Sequence, residues 1–181
     1  FPYMERGGKR VDPPAIAQAT VRQAVATART RAPSLPLFAG GRSFGGRMTS
    51  QAQAQATLEG VRGLIFFAFP LHPAGKPSDS RAAHLADVAI PMLFLQGSND
   101  ALADLALLKR TVASLGGRAT LELIAQADHA FRIADHHVPR KNRRIAAADR
   151  HVDIERLVDR QVGRRTGPVV IGRYREARDL R

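Results

Sequence analysis

The chain contains no cysteine and no tryptophan, and aromatic residues make up only 6% of it. Without cysteine, neither disulfides nor thiolate metal sites are available. This suits a reducing cytosol, and the expected location is cytoplasmic. No apolar run approaches the ~18 residues that a membrane-spanning helix needs. The longest, Leu64-Ile65-Phe66-Phe67-Ala68-Phe69, suits a buried strand. The opening residues, Phe1-Pro2-Tyr3-Met4-Glu5-Arg6, hold neither an initiator methionine nor the apolar region of a signal peptide. Acidic residues are also scarce, with 16 Asp+Glu against 28 Lys+Arg, a formal net charge of +12. Such an excess is one mark of a nucleic-acid or membrane partner. It is unevenly spread, however. Residues 1–131 carry 14 basic and 9 acidic side chains, whereas residues 132–181 carry 14 and 7. The surplus therefore concentrates in an arginine-rich tail, with no aromatic platform or reader motif beside it. Nucleic acid is not the expected partner.

What the chain does have is enough apolar material for a core. At 181 residues and 44% hydrophobic, it reads as one domain. A chain of that size buries about two-thirds of its unfolded surface. Residues 1–11 read as a strand end and a basic loop. Asp12-Pro13-Pro14 reads as a helix start with Asp12 as N-cap. Ile16, Ala19, Thr20, Val21, Ala24, Val25 and Ala28 then recur at helical spacing, up to a stop before Pro33. Strands are expected at 36–40, 61–69, 90–96 and 119–124. Helices are expected at 43–58 and 101–115, the latter ended by Gly116-Gly117, with a short helix or turn at 81–88. Residues 70–80, with three prolines, read as a loop. This alternation predicts an α/β fold with a mostly parallel sheet and helices on both faces. In the tail, Val152, Ile154, Leu157, Val158 and Val162 would share one face of an amphipathic helix within 149–163, and Pro168-Val169-Val170-Ile171 would make a short strand.

The chemistry centres on Gly41-Arg42-Ser43-Phe44-Gly45, a G-x-S-x-G pentapeptide between a predicted strand and a predicted helix. A sharp strand-to-helix turn holds a serine in a strained conformation and projects its oxygen above the sheet; the two glycines avoid collisions with the neighbouring strand and helix. In open α/β sheets, functional groups gather at the carboxyl ends of the strands. Two further groups follow strand ends in the order Ser, acid, His: Asp100 in Gly97-Ser98-Asn99-Asp100, and His129 in Ala127-Asp128-His129. His129 would take the Ser43 proton, Asp100 would orient His129, and the Phe44 backbone N–H would supply half of an oxyanion hole. Each residue also has a plainer reading. Ser43 can be a helix N-cap, Asp100 a cap for a helix beginning at Ala101, and His129 a surface loop residue. Asp104 reads as solvent-facing, and Asp128 as pointing away from His129. His72 follows a strand end and could border the pocket, but a plain loop residue is the favoured reading. His84 and His151 show no pattern, and His136-His137 lack the third ligand of a metal site. Phe69, Leu71 and Phe131 would make a neighbouring pocket apolar if they face it.

At these residues the sequence resembles the α/β-hydrolase superfamily, and most of all the small dienelactone-hydrolase-like proteins, including bacterial relatives of testis-expressed protein 30. The resemblance rests on Phe1-Pro2-Tyr3-Met4, the stretch from Leu37 to Met48, the stretch from Gly63 to Pro73, Gln96-Gly97-Ser98-Asn99-Asp100 and Ala127-Asp128-His129, so it covers about residues 1–131. It implies a nucleophile at Ser43, an acid at Asp100, a base at His129 and no metal or organic cofactor; it supplies no substrate, and the expected one, a small-molecule ester or acyl compound, follows from the triad chemistry. The family places further strands and an oxyanion-forming loop ahead of the segment matched by Phe1, and it closes with an amphipathic helix soon after the histidine. The expectation is therefore an incomplete hydrolase core at 1–131 followed by an arginine-rich tail at 132–181. One explanation is a reading frame truncated at its amino end and altered at its carboxyl end. Two functions follow: a serine hydrolase, or a non-catalytic hydrolase-like binding module. Substrate identity and oligomeric state are left open.

Overall fold

The computed structural model describes residues 1–133. Four strands, β1 (Leu37–Arg42), β2 (Val61–Phe67), β3 (Met92–Gly97) and β4 (Ala119–Ile124), form a parallel sheet in the order β1-β2-β3-β4. All six residues of β3 are buried, as are most of β2. Parallel strands covered on both faces read as apolar runs rather than alternations, which is why these two were visible in the sequence. The register pairs Arg42 with Phe67, Phe67 with Leu95, and Gly97 with Ile124, so the four carboxyl ends lie along one edge.

The helices are α1 (Pro2–Glu5), α2 (Pro14–Arg31), α3 (Phe44–Gln55) and α4 (Leu105–Ser114), with 3₁₀ segments at Ser80–Asp87 and Gly116–Arg118. The main core joins Val21 and Val25 of α2, Met48 and Ala52 of α3, Leu85, and Leu108 and Val112 of α4 to Leu64, Phe66, Met92 and Phe94 of the sheet. Phe66, Phe69 and Phe94 pack at its centre with ring centroids 4.8–5.7 Å apart. The alternate sheet residues, Ile65, Leu93 and Leu95, form a separate cluster with Phe38 and Phe67. Among the described residues, the helices that join this core pack on one face of the sheet. The strand order supplies the reason. Neighbouring strands follow one another in sequence, and right-handed crossovers that always step in the same direction pass over the same face.

Other expectations shift at element ends. Residues 2–5 are a short helix instead of a strand end. Asp12 does not cap α2, whose N-cap is Pro13. Its carboxylate instead accepts from the Tyr3 N–H and Arg6 Nη2, both at 2.9 Å, tying α1 to the start of α2. The buried stripe of α2 is Ala17, Gln18, Val21 and Val25, while Ile16 is 48% exposed. Arg22 of α2 donates to the Ala52 and Ala56 carbonyls at the end of α3, at 2.6 and 3.0 Å, a favourable place for a cation. α4 starts at Leu105 rather than 101, with Asp104 as its cap. Strand β4 and the stop at Gly116, which has φ +62°, are as predicted. The predicted tail helix and strand, together with His136, His137 and His151, lie outside the described residues.

Close backbone approach makes Gly40 sensitive. A Cβ there would collide with the Ile65 carbonyl oxygen of β2, whereas one at Gly117 would meet nothing. Gly40→Ala is expected to destabilise the protein by about 1–3 kcal/mol or more, the usual range for overpacking. Gly117→Ala should stay within about 0.5 kcal/mol of the parent. Urea unfolding midpoints of the two variants check both.

Candidate active site

Strand β1 delivers the chain to Ser43, whose backbone adopts φ 51° and ψ −115°. For a non-glycine residue this costs roughly 1–3 kcal/mol and survives only where the surroundings over-determine it. Here the Ser43 N–H donates to the Phe67 carbonyl at 2.9 Å, and the Arg47 N–H donates to the Ser43 carbonyl at 3.2 Å. Helix and strand come very close at this turn. A Cβ on Gly41 would lie 3.0 Å from the Gly45 carbonyl carbon, and one on Gly46 would lie 2.6 Å from the Gly41 oxygen. Gly45 itself has room for a side chain, with only the Phe1 ring at 3.6 Å. The second steric glycine is therefore Gly46, outside the pentapeptide.

Ser43 stands at the N-cap position of α3, yet its side chain makes no capping bond. Its Oγ lies 2.9 Å from His129 Nε2, and His129 Nδ1 lies 2.8 Å from Asp100 Oδ2. The Asp100 side chain is fully buried, while that of His129 is 25% exposed. A buried carboxylate must be satisfied by donors. Besides the imidazole, Asp100 accepts from Gln96 Nε2 at 2.5 Å and from the Leu102 N–H at 2.8 Å. Since Asp100 can only accept, Nδ1 carries the proton, and Nε2 presents a lone pair to the Ser43 hydroxyl. The capping alternatives for Ser43 and Asp100 give way to this arrangement.

Gln96 is the residue that the sequence reading passed over as part of a strand. It is fully buried, and its Oε1 accepts from the Phe69 N–H at 2.8 Å while its amide donates to Asp100. It thus braces the acid against the end of β2. The only sequence signal was an amide in an otherwise apolar strand.

The His129 loop folds back on β3. The Asn99 N–H donates to the Ala127 carbonyl at 2.9 Å, and Gly97 permits the approach because a Cβ there would strike that same carbonyl. Asp128 organises the loop: its Oδ1 accepts from the Ala130 and Arg132 N–H groups at 2.7 and 2.9 Å. Asp104 accepts from the Leu107 N–H at 2.9 Å. His72 is buried, with Nδ1 2.9 Å from the Pro73 carbonyl and Nε2 accepting from the Asp104 N–H at 2.8 Å, so it ties two loops together. Phe69, Leu71 and Phe131 are likewise packed in the core rather than lining an open pocket. A surface hollow of about 820 Å³ lies along α2, between Pro2 and Arg31, and includes no residue of the Ser43 site. Among the described residues no three His, Asp or Glu side chains are grouped to hold a metal ion, and no helix is long and apolar enough to cross a membrane.

Known proteins share this fold. An α/β serine hydrolase without a lid from Xanthomonas campestris superposes with a TM-score of 0.59 at 23% identity, over 90% of this chain and 63% of that one. A putative α/β hydrolase of unknown function from Agrobacterium tumefaciens gives 0.58 at 17% identity, over 90% and 68%. An α/β serine hydrolase homologue from Coxiella burnetii gives 0.54 at 18%, over 67% and 54%. The chain thus spans less than two thirds of the Coxiella and Xanthomonas proteins. At these identities the likeness is one of fold. Residues 1–153 match the family described as alpha/beta hydrolase domain. With a serine on a strained strand-to-helix turn, a histidine and a buried aspartate joined at one edge of a parallel sheet, the chain belongs to the alpha/beta hydrolase domain family.

Proposed function

We propose that this protein is a serine hydrolase that cleaves an ester or related acyl bond of a small molecule. The observation that carries the reading is the Ser43 Oγ to His129 Nε2 separation of 2.9 Å, backed by Asp100 at 2.8 Å. Ser43 attacks the carbonyl carbon as His129 Nε2 takes its proton, and the Asp100 carboxylate stabilises the imidazolium. The negative charge on the tetrahedral oxygen is met by the Phe44 N–H, which as the first amide of α3 has no partner within the helix. His129 then returns the proton to the leaving alkoxide. Water, deprotonated by the same nitrogen, releases the acid from Ser43. The motif stretches support a place among dienelactone-hydrolase-like proteins and bacterial relatives of testis-expressed protein 30. The lack of cysteine fits a cytoplasmic setting.

A fluorophosphonate probe is expected to label Ser43. Ser43→Ala should abolish labelling, and Asp100→Asn should lower kcat by on the order of 10⁴, as expected when the histidine is held in the wrong tautomer. Folded, unlabelled parent protein would overturn this reading in favour of a non-catalytic binding module.

Gln96→Leu removes a donor to Asp100 and an acceptor for Phe69. The expected cost is about 1–3 kcal/mol of stability for the groups left unpaired. Because Gln96 acts through Asp100, kcat should fall roughly tenfold, the loss of one charge-assisted hydrogen bond, with KM held. Thermal melts and steady-state kinetics on one para-nitrophenyl ester check the two parts.

A further inference from the structure

The described residues hold two groups of three packed aromatic rings. Phe66, Phe69 and Phe94 are sealed in the core. Phe1, Tyr3 and Phe44 form the other group, and all three are only half-buried. The Phe1 ring meets the Phe44 ring edge-on with centroids 5.6 Å apart, Tyr3 meets Phe44 edge-on at 6.4 Å, and Phe1 and Tyr3 stack at 6.4 Å. These are spacings and orientations at which rings attract one another.

This second group lies at the nucleophile. Phe44 follows Ser43 directly and opens α3. Side chains of a helix point back toward its N-terminus, so the Phe44 ring lies toward the turn that holds Ser43. Phe1 sits against the first turn of the same helix: a Cβ on Gly45 would lie 3.6 Å from its Cε2. Pro2 and Glu5 face the hollow along α2, so Phe1 and Tyr3 are the residues of this segment turned toward the elbow. The rings are held from several sides. Asp12, 4% exposed, accepts from the Tyr3 N–H and pairs with Arg6. The Gly8 N–H donates to the Tyr3 carbonyl at 2.7 Å. Arg47 places its guanidinium carbon 6.0 Å from the centre of the Phe44 ring, a cation–π distance that steadies the ring from the helix side.

Clustered apolar surface left partly open to water marks a place where something binds. A wall already fixed in place loses little freedom when a ligand meets it. We propose that Phe1, Tyr3 and Phe44 form the subsite for an aromatic ring of the substrate, so that the esters this protein prefers carry an aryl group a short spacer away from the scissile bond. As a substrate preference this rests on the hydrolase reading; as a binding surface it does not. Rings set at steep angles offer both faces and edges, which a flat guest ring matches by edge-to-face or offset contact and a saturated ring does not. Phe44 then serves twice, its N–H toward the oxyanion and its side chain toward the aryl group.

The kinetic test uses the full chain and two matched pairs of esters. Ethyl 3-phenylpropanoate is set against ethyl 3-cyclohexylpropanoate, with the ring on the acyl side. 2-Phenylethyl acetate is set against 2-cyclohexylethyl acetate, with the ring on the alcohol side. Two methylenes separate ring and ester in every case, so carbonyl reactivity is matched within each pair. Acid release should favour the phenyl ester in kcat/KM by about two- to tenfold in at least one pair, the usual worth of an aromatic contact beyond its area. The pair that shows it tells which side of the ester the rings receive. Tyr3→Leu and Phe44→Leu should each bring that ratio toward one. A ratio at or below one in both pairs, or a ratio unchanged in both variants, overturns the assignment while leaving the hydrolase reading in place.

The binding test needs no turnover. The chain has no tryptophan and two tyrosines, Tyr3 and Tyr174, so in Ser43→Ala/Tyr174→Phe protein the intrinsic emission comes from Tyr3 alone. Its emission is followed as each of the four esters is added. A saturable change that needs less of a phenyl ester than of its cyclohexyl counterpart, and that is lost on adding Phe44→Leu, supports the subsite. No saturable change, or equal midpoints within both pairs, overturns it. If no ester is hydrolysed by the parent but Tyr3 reports the phenyl preference, the hydrolase reading fails and the aryl subsite stands.

Discussion

The turn at Ser43 is the constraint on which the site depends. An L-residue at φ 51° is held against its own preference. The hold comes from a hydrogen bond to the end of β2, a bond into the first turn of α3, and the near contact of Gly41 with Gly46. In an ordinary N-cap geometry the hydroxyl would fold back onto the helix amides. The strained backbone denies it that partner and aims it at His129. The same turn leaves the Phe44 amide free at the start of α3, beside the oxygen that would attack. Nucleophile placement and the oxyanion role proposed for Phe44 thus trace to one backbone conformation.

The other two groups depend on the sheet edge. Parallel pairing in simple order places the ends of β2, β3 and β4 side by side, and short loops then need only small glycines or polar braces to converge. Gly97 lets the His129 loop lie against β3. Gln96 spans from the Phe69 amide to Asp100, so the acid cannot shift without breaking a buried hydrogen bond. Arg42, just before the nucleophile, donates to the His129 carbonyl at 3.4 Å and links the first strand end to the last. In a buried setting such bonds matter less for net stability than for the penalty of leaving any one partner unsatisfied.

Much of this was legible in the residues, and the failures have physical causes. The apolar runs of β2 and β3, the helix stop at Gly116 and the order Ser43, Asp100, His129 could all be read, because they follow from local chemistry and from where strands end. Asp12 was misread as a helix cap because Asp before two prolines satisfies every local rule. The actual partners, Tyr3 and Arg6, come from the short helix α1 and the residue that ends it. Ile16 looked like the start of the buried stripe, but α2 is rotated so that Ala17 and Val21 face α3 and the sheet. Phe69 and Leu71 looked like pocket walls because they follow a strand end, yet they are packed within the aromatic core.

Sequence alone determined the class of fold and the kinds of group that would meet. Hydrophobic period, turn residues and motif order are local properties, and each strand end could be located without knowing its neighbours. Which glycine the elbow requires, which amide braces the acid, which face the helices cover and which rings gather beside the elbow were decided only in three dimensions. Those are matters of distance between segments far apart in the chain. A side chain such as Gln96 has no distinctive local pattern until the packing removes water from around it and sets its partners.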